Sequence, residues 1–307
     1  MDDVFVLPAS TDKSLLSKAQ ALEKGARELR RLGPWDLGIA LPNSFSSGWL
    51  LARAGVKKRR GYQTDGRSFL LNQGQVWGRA LLHRADAYLK LLPEAVLPFR
   101  SSTDFWGIPA ANELDPSIPG VVESFDAENE WPDADPVTPP SGPFWVLAPG
   151  ATAESRRWPI EFFRELARRV VQGTGWPGII VGGLAEVGLG IELTRDSSLK
   201  LLDWTAKGSV GSYWKVFRQA RFSVCNESGI AHVASLCGSP VQIVCGAANP
   251  QRTAPLGPGK VQIAFNPVDC WPCERNTCGQ VASRKLDCLK GIQPEAIWND
   301  IKNGIRI

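Results

Sequence analysis

The chain has 307 residues, which suggests two domains at about 150 residues each. With 43% hydrophobic and 21% charged residues, its composition is that of a folded globular protein and excludes disorder, collagen and coiled coil. The net charge of +4 is too small to indicate a nucleic-acid partner, and we expect none.

The first half alternates apolar and amphipathic segments, the pattern of β-α-β units around a parallel sheet. The basic run KKRR at 57–60 and a polar loop are predicted to separate its last two helices. The predicted elements, in chain order, are a strand at 4–8, a helix at 12–32, a strand from 36, and helices at 46–54 and 77–92.

Residues 126–143 hold five prolines and five acidic residues and predict a linker. After it the alternation restarts as a doubly wound sheet. The predicted elements are strands at 144–150, 178–183, 199–205, 222–228 and 240–247, alternating with helices at 160–172, 187–195, 211–220 and 229–238. We therefore expect domains at 1–125 and 144–290, with a ligand cleft between them beyond the carboxyl ends of the strands.

The segment GTGWPG at 173–178 matches the glycine pattern of a dinucleotide site. That site needs a strand before it and a helix after it, whereas here a helix precedes and a strand follows. The segment is interpreted as a turn that ends a helix.

A strand runs directly into a helix at NESGIAHVAS, residues 226–235. Free amides at the helix start, with Gly229 permitting close approach, predict an anion site suited to a diphosphate. His232, one turn into the helix, is either a second phosphate donor or a core histidine. Ser228 alone would be an ordinary N-cap.

Two further turns follow predicted strands in the same half. The first has Gly150, Ala151 and Thr152 before Arg156, which suggests a phosphate site or a solvated helix start. The second has Gly183 before Glu186, a carboxylate suited to ribose hydroxyls or to a helix N-terminus. The three turns together predict a nucleotide-diphosphate ligand, which fits a nucleotide-sugar.

These motifs resemble glycosyltransferase family 9, the ADP-heptose lipopolysaccharide heptosyltransferases. The resemblance rests on PGA followed by RRWP, GG with a following Glu, and NESGIAH in the second half. In the first half, LPNSFSSGWLLARAGVKKRRGY and RSFLLN are similar to the heptosyltransferase II branch.

The resemblance implies a GT-B fold of two facing Rossmann-like domains with parallel sheets. The first domain is expected to lack its N-terminal β-α unit, and a C-terminal helix within 291–307, at 294–304, is expected to cross back to it. It also implies inverting, metal-independent transfer of heptose from ADP-heptose, with no required cofactor. The acceptor would be the anionic lipopolysaccharide inner core of a Gram-negative bacterium. No apolar run reaches about 18 residues and no signal peptide is recognised, so the chain is expected in the cytoplasm, peripheral at the inner membrane.

The resemblance also assigns roles to residues of the second half. The amides of Ser228 and Gly229 would hold the diphosphate, with Glu227 and His232 beside them. Arg156 stands where a lysine usually neutralises the leaving phosphate, and the loop before it is one residue shorter than usual. Glu186 would bind the ribose, and Glu227 stands where Asp is usual.

The first strand, glycine turn and helix of the family, which carry the proposed catalytic Asp, have no counterpart here. Asp12 and Asp65 are available carboxylates, but neither is assigned as the base. Two alternatives to the heptosyltransferase therefore stay open. One is a binding-only or defective nucleotide-sugar protein, and the other is a transferase for another nucleotide-activated sugar.

Polar and basic residues of the first half are candidates for contact with the anionic acceptor. Asn43 and Ser44 follow a predicted strand, and Arg59, Arg60 and Arg67 lie in and after the basic run. The alternative for the basic run is a solvated loop.

Seven cysteines divide into two groups. Cys225, Cys237 and Cys245 lie in apolar segments and predict core residues. The remaining four have the spacing C-x2-C-x4-C-x9-C, which leaves open a structural zinc site, a redox pair or unpaired thiols; they are Cys270, Cys273, Cys278 and Cys288.

Overall fold

The computed structural model describes residues 5–8, 14–77, 83–93 and 137–304. They fall into two compact units, one before and one after residue 101. The predicted boundaries at 125 and 144 stay predictions, and residues 126–136 of the predicted linker lie outside the described residues. Residues 137–143 form no helix or strand. No described helix is long and apolar enough to cross a membrane.

The first unit contains a three-stranded parallel sheet in the order β1-β2-β3. Its elements are α1 (Leu15–Leu32), β1 (Leu37–Ala40), α2 (Phe45–Arg53), β2 (Lys58–Tyr62), β3 (Gln73–Gln75) and α3 (Arg84–Leu89). The predicted helix at 12–32 is confirmed over the described residues, and Ser14 caps its first turn by accepting a bond from the Ser17 amide. The prediction of a helix at 46–54 is also confirmed.

Two predictions for this unit are wrong. Residues 5–8, predicted as strand, form none. Val6 is 81% exposed there, so a strand would gain no stability from burying this side chain. The basic run is not a loop but the central strand β2, because its backbone pairs with Leu37–Ala40 on one side and with Gln73–Gln75 on the other. Of the predicted helix at 77–92, residues 84–89 are helical and 78–82 lie outside the described residues.

The second unit is built on a six-stranded parallel sheet in the order β6-β5-β4-β7-β8-β9. The strands are β4 (Trp145–Ala148), β5 (Gly178–Ile180), β6 (Leu201–Asp203), β7 (Ser223–Asn226), β8 (Val241–Cys245) and β9 (Val261–Phe265). The helices are α4 (Ile160–Thr174), α5 (Val187–Thr194), α6 (Trp214–Gln219), α7 (Gly229–Leu236), α8 (Pro250–Thr253), α9 (Asp287–Lys290) and α10 (Pro294–Gly304). The predicted doubly wound sheet is confirmed, and β9 is an additional strand.

Alternate residues of β4 point to opposite faces of this sheet, and helices pack on both faces. Trp145 and Leu147 are fully buried in a core shared with α4 and α10, which contributes Ile297 and Ile301. Val146 is buried on the other face with residues of α6 and α7.

The C-terminal helix predicted at 294–304 is present as α10 and packs on α4. A Cβ on Gly173 of α4 would lie 2.5 Å from the Trp298 ring of α10, so the two helices are in close contact there. Gly175 then ends α4 with φ of 72°, which confirms the interpretation of 173–178 as a turn.

Candidate functional site

The order of the six strands reverses between β4 and β7, the first and fourth strands of the unit along the chain. Ala148 of β4 pairs with Cys225 of β7, so the loops that leave these strands start side by side. Ligands of doubly wound sheets bind at such a reversal, beyond the carboxyl ends of the strands. Two of the three predicted phosphate and ribose turns begin here.

A pocket of about 480 Å³ lies beyond these strand ends, within the range of small-molecule sites. The loops after β4, β5 and β7 supply backbone groups and polar side chains to its wall, and apolar side chains form the rest. The residues that line it are Ala148, Gly150, Ala151, Thr152, Val181, Gly182, Gly183, Glu186, Gly208, Val210, Tyr213, Ser228, Gly229, Ile230 and Val233. The pocket thus brings together all three predicted turns.

The loop after β4 is closed by Arg157. Its Nε donates to the carbonyl of Ala151 at 2.6 Å and its Nη2 to that of Thr152 at 3.2 Å. Arg157 therefore stabilises this loop, while its neighbour Arg156 pairs with Glu227.

Arg156 forms an ion pair with Glu227, with 3.0 Å between Nη1 and Oε2. The Glu227 side chain is only 8% exposed and that of Arg156 29%. The Nε of Arg156 is buried, and no described residue forms a hydrogen bond with it. Neither residue lines the pocket itself, but Glu227 directly precedes the pocket residue Ser228. The pair places a cation and one unused donor beside the start of α7.

Ser228 and Gly229 form the start of α7, as predicted. The Ser228 side chain does not cap the helix, and its Oγ is buried without a hydrogen-bond partner among the described residues. A Cβ on Gly229 would meet nothing within 4 Å, so the space beside its Cα is open. A helix start with open amides and an unused hydroxyl is a site for an anion.

His232 is exposed on α7 and is not among the residues that line the pocket. It is therefore not a core histidine, which was one of the two interpretations of its position. A role in phosphate binding stays a prediction.

Glu186 lies against the loop after β4. Its Oε2 accepts a hydrogen bond from the Gly183 amide at 2.8 Å. A Cβ on Gly150 would come within 2.4 Å of the Glu186 side chain, so glycine is required there for the close approach of the two loops. The carboxylate lines the same pocket as Ser228.

One positioning residue, Asn226, was not assigned from the sequence. Its side chain is fully buried at the end of β7, where Oδ1 accepts from the Trp158 amide at 3.0 Å and Nδ2 donates to the Pro149 carbonyl at 2.6 Å. It thereby joins β7 to both ends of the loop that carries Arg156. The cue in the sequence was a polar residue at the last position of an otherwise buried strand.

Asn226→Ala should destabilise the protein by about 1–3 kcal/mol, because the Trp158 amide and the Pro149 carbonyl lose their partners in a buried place. Urea unfolding followed by circular dichroism measures the change. Asn249→Ala is a suitable control, since Asn249 only caps the short helix α8. An Asn226→Ala midpoint equal to that of the parent protein would contradict the positioning role.

The pocket wall also includes a segment that the sequence did not indicate, residues 208–213. The Tyr213 hydroxyl donates to the Trp204 carbonyl at 2.5 Å and accepts from the Lys207 amide at 3.1 Å. Burial raises the pKa of Tyr213, which keeps its hydroxyl protonated. Val210 and Tyr213 add an apolar surface to the pocket.

In the first unit, the two arginines of β2 form hydrogen bonds with their own chain. Arg59 donates through Nε to the Leu70 carbonyl at 2.7 Å and through Nη1 to the Val56 carbonyl at 2.8 Å. Arg60 donates to the Leu91 carbonyl at 3.4 Å. Both side chains are half-buried, so the alternative of a solvated basic loop is wrong.

Arg67 needs a correction, because it is fully buried and cannot meet an acceptor directly. Its guanidinium donates to the carbonyls of Tyr62, Pro42 and Ser44, to the Ser47 hydroxyl and to the Asn43 side chain. Burial lowers the pKa of Arg67, and the nearby Asp65 carboxylate partly offsets this. Arg67 is thus a positioning residue for the loop of Asn43 and Ser44.

Of the two available carboxylates, Asp12 lies outside the described residues. Asp65 is exposed, and its Oδ2 accepts from the Phe45 amide at 2.6 Å, which caps the start of α2. Asn43 is half-buried and Ser44 exposed at this same loop.

The cysteines divide as predicted. Cys225, Cys237 and Cys245 are buried, and burial raises the pKa of each thiol to about 12. The other four line one cavity of about 20 Å³, which we call the four-cysteine cavity: Cys270, Cys273, Cys278 and Cys288. Burial, with smaller contributions from the three other thiols, raises the pKa of Cys288. Among the described residues, no group of three or more His, Cys, Asp or Glu side chains is already arranged to hold a metal ion.

Comparison with known proteins agrees with the motifs. Residues 24–281 match the model of glycosyltransferase family 9 (heptosyltransferase). Lipopolysaccharide heptosyltransferase 1 of Pseudomonas aeruginosa is 30% identical over 192 residues, which are 60% of this chain and 51% of that protein. Lipopolysaccharide heptosyltransferase 2 of Escherichia coli is 24% identical over 253 residues, 77% of this chain and 68% of that protein. The chain therefore matches only about half of the Pseudomonas relative.

Solved structures share the fold. The structure of E. coli ADP-heptose lps heptosyltransferase II has a TM-score of 0.67 to this chain at 19% identity. The aligned region covers 94% of this chain and 81% of the E. coli chain. A glycosyl transferase family 9 structure from Veillonella parvula has a TM-score of 0.66 at 16% identity and covers 96% and 81%. At these identities the likeness concerns the fold, and it confirms the predicted α/β class with parallel sheets.

Proposed function

Because the chain belongs to glycosyltransferase family 9, the heptosyltransferase family, we propose that it transfers heptose from ADP-heptose to the lipopolysaccharide inner core. The observation that carries the proposal is the pocket at the strand reversal, which the start of α7 and the Glu186 carboxylate both line, with the Arg156–Glu227 ion pair beside the start of α7. A relative solved as a complex with ADP, E. coli WaaC, has a TM-score of 0.58 to this chain and supports the choice of nucleotide.

The pocket fits a nucleoside diphosphate from one end to the other. The diphosphate would lie at the start of α7, where the space beside the Gly229 Cα is open and the Ser228 hydroxyl has no hydrogen-bond partner among the described residues. The ribose hydroxyls would bind Glu186, and the base would lie on the apolar surface that includes Val210 and Tyr213. This arrangement needs no phosphate-binding lysine.

We assign the main chemical task of this unit to stabilisation of the leaving group. An acceptor hydroxyl attacks the anomeric carbon on the face opposite the diphosphate and gives its proton to a base that is not assigned to a described residue, the bond from that carbon to the phosphate oxygen breaks, and ADP leaves with the electron pair. The anomeric configuration is then inverted. The growing negative charge would be met by Arg156 and the amides of α7, which is how fixed donors lower such a barrier. In the proposed reaction these protein groups take the place of a metal ion.

Glu227 orients Arg156 while no diphosphate is bound. Their ion pair holds one guanidinium nitrogen, whereas Nε is buried and has no hydrogen-bond partner in the described part of the chain. A diphosphate at the start of α7 could accept from the remaining donors without breaking the pair. The arginine thereby keeps its charge at the site in both states.

The acceptor is proposed to bind at the first unit, in the cytoplasm at the inner-membrane face. Asn43 and Ser44 would contact sugar hydroxyls, since Arg67 and the Asp65 carboxylate hold their loop in place. Arg59 and Arg60 would add positive charge towards an anionic oligosaccharide. The catalytic base is not assigned to a described residue.

The transfer itself is tested with ADP-heptose and a lipopolysaccharide acceptor that lacks inner-core heptose. We expect ADP release and a heptose added to the acceptor by mass spectrometry. Binding of ADP-heptose without transfer would favour the binding-only alternative, and transfer only from another nucleotide-sugar would favour the third hypothesis.

Gly229→Ala tests the close approach of the diphosphate. Its φ is not in the left-handed region and its Cβ would meet nothing, so the melting temperature of the ligand-free protein should not fall. The new methyl group would occupy the space of the ligand, and we expect ADP affinity to fall about tenfold or more, or about 1.4 kcal/mol. Isothermal titration calorimetry measures the affinity, and Gly188→Ala on α5, also with nothing near its Cβ, is the control. Unchanged ADP affinity in Gly229→Ala would place the ligand elsewhere.

A further inference from the structure

The segment that contains the four cysteines has little regular structure of its own. Between the end of β9 at Phe265 and the start of α9 at Asp287, the only element described is the short turn Ala282–Arg284. Loops of this length inside a compact unit are uncommon unless a function or a covalent link holds them. Two non-glycine residues in it, Glu274 and Leu286, have φ of 52° and 62°. Such conformations persist where the surroundings fix them.

The four-cysteine cavity is a place where a bound metal ion would cross-link this segment. Four thiols from separate parts of the segment line a space of about 20 Å³, slightly more than one water molecule occupies by the same measure. The Leu286 amide also donates to Cys278 Sγ at 3.4 Å, which is the kind of bond that supports a metal-bound thiolate. Arg284 and Asp287 both line the cavity; Arg284 pairs with Asp269, and the adjacent Lys285 pairs with Glu154.

The same segment supports the turn that carries Arg156. The Ser155 amide donates to the Asn276 carbonyl at 3.2 Å, and the Ser155 hydroxyl donates to the Arg275 carbonyl. Glu154 pairs with Lys285 at 2.6 Å. Asn276 and Arg275 lie between Cys273 and Cys278, so whatever fixes these two cysteines also fixes the turn.

We propose that the four-cysteine cavity binds one zinc ion through its four thiolates, and that the metal fastens this segment against the turn that carries Arg156. Each thiol loses its proton to solvent as its sulfur forms a bond to Zn²⁺, which gives a tetrahedral site with a formal charge of −2. The Leu286 amide donates to one of these sulfurs, and Arg284 is a cation that lines the cavity. The thiols are not yet grouped as a metal site, so the ion draws the sulfurs inward to its bond length of about 2.3 Å. This zinc proposal does not depend on which nucleotide-sugar the protein uses.

The test is the zinc content of the full chain, purified under reducing conditions, loaded with zinc sulfate and dialysed. We expect about one zinc per chain by plasma mass spectrometry, and less than about a tenth of that in Cys273→Ser and Cys278→Ser. Cys237→Ser, with its thiol in the other core cluster, is the matched control and should keep its zinc. Circular dichroism establishes that each variant is folded.

Cobalt provides a second readout on the unchanged protein, in case the variants do not fold. After chelation of zinc, cobalt chloride should give the intense visible absorption of a tetrahedral thiolate site, with saturation at about one equivalent and loss of four reactive thiols. Zinc removal should also lower the melting temperature. A folded parent chain without zinc or the cobalt spectrum, or a disulfide between two of the four cysteines in the reduced preparation, would overturn the proposal. Zinc binding without transferase activity would leave it standing and count only against the proposed function.

Discussion

Arg156→Ala should reduce the rate of heptose transfer by about 10²–10³-fold, because one preorganised donor to a developing anion contributes about that much. It should also remove most of the rise in melting temperature that ADP produces in the parent protein. The substitution also removes the ion pair of the Glu227 carboxylate, whose side chain is only 8% exposed, so the melting temperature without ADP should fall and the ADP shift is taken relative to each variant's own ligand-free value. Steady-state kinetics and thermal unfolding with and without ADP measure the two effects.

Two variants make this result specific. Arg156→Lys keeps the charge but loses the fork of the guanidinium, so it should retain part of the activity. Arg164→Ala removes an arginine of similar exposure from α4, where it pairs with Glu192 and does not line the pocket. It should leave both measurements unchanged. A full ADP shift in Arg156→Ala would refute the donor site as assigned.

Arg67→Ala is expected to produce the largest loss of stability, about 2–4 kcal/mol. The substitution removes the donors of three backbone carbonyls, two side-chain partners and a fully buried aliphatic stem at once. The carbonyls of Tyr62 and Pro42 each lose this charged donor but keep another hydrogen bond, from the Thr64 amide and the Ser47 hydroxyl respectively. Urea unfolding measures the total, and hydrogen exchange of peptides from β1 and β2 locates the loss in the first unit.

Arg53→Ala provides the comparison for Arg67. Arg53 lies on α2 in the same unit, but it is exposed and its ion pair with Glu23 is on the surface. Its loss should move the unfolding midpoint little, because solvent screens such pairs. Equal destabilisation by the two substitutions would show that Arg67 does not hold the loop of Asn43 and Ser44.

The parts of the site formed by local sequence were predictable. Ser228 and Gly229 follow an apolar strand and open an amphipathic helix, and both cues lie within a few residues. The strand order that places this helix beside the loop of Gly150 follows from general rules for βαβ units. The pocket therefore follows from the sequence in outline.

The contacts that fix the geometry were not predictable, because they join distant residues. Asn226 reaches Trp158 and Pro149 across 68 and 77 residues, and nothing in the local sequence indicates either partner. The solvated-loop alternative for Arg59 and Arg60 was wrong for a related reason. Their charge suggested a solvated loop, but arginine stems pack against apolar surface while the head groups donate to backbone carbonyls.

The bonds of Asn226 have a consequence for how ligands are distinguished. Because this one buried amide fixes both ends of the loop after β4 and lies shortly before the start of α7, the proposed phosphate contacts are ordered before a ligand arrives. The entropy of ordering that loop is lost during folding and not during binding. In the proposed complex, the diphosphate end would then contribute a nearly constant affinity for every nucleotide-sugar. Discrimination among nucleotide-sugars would come from the opposite end of the pocket and from the sugar.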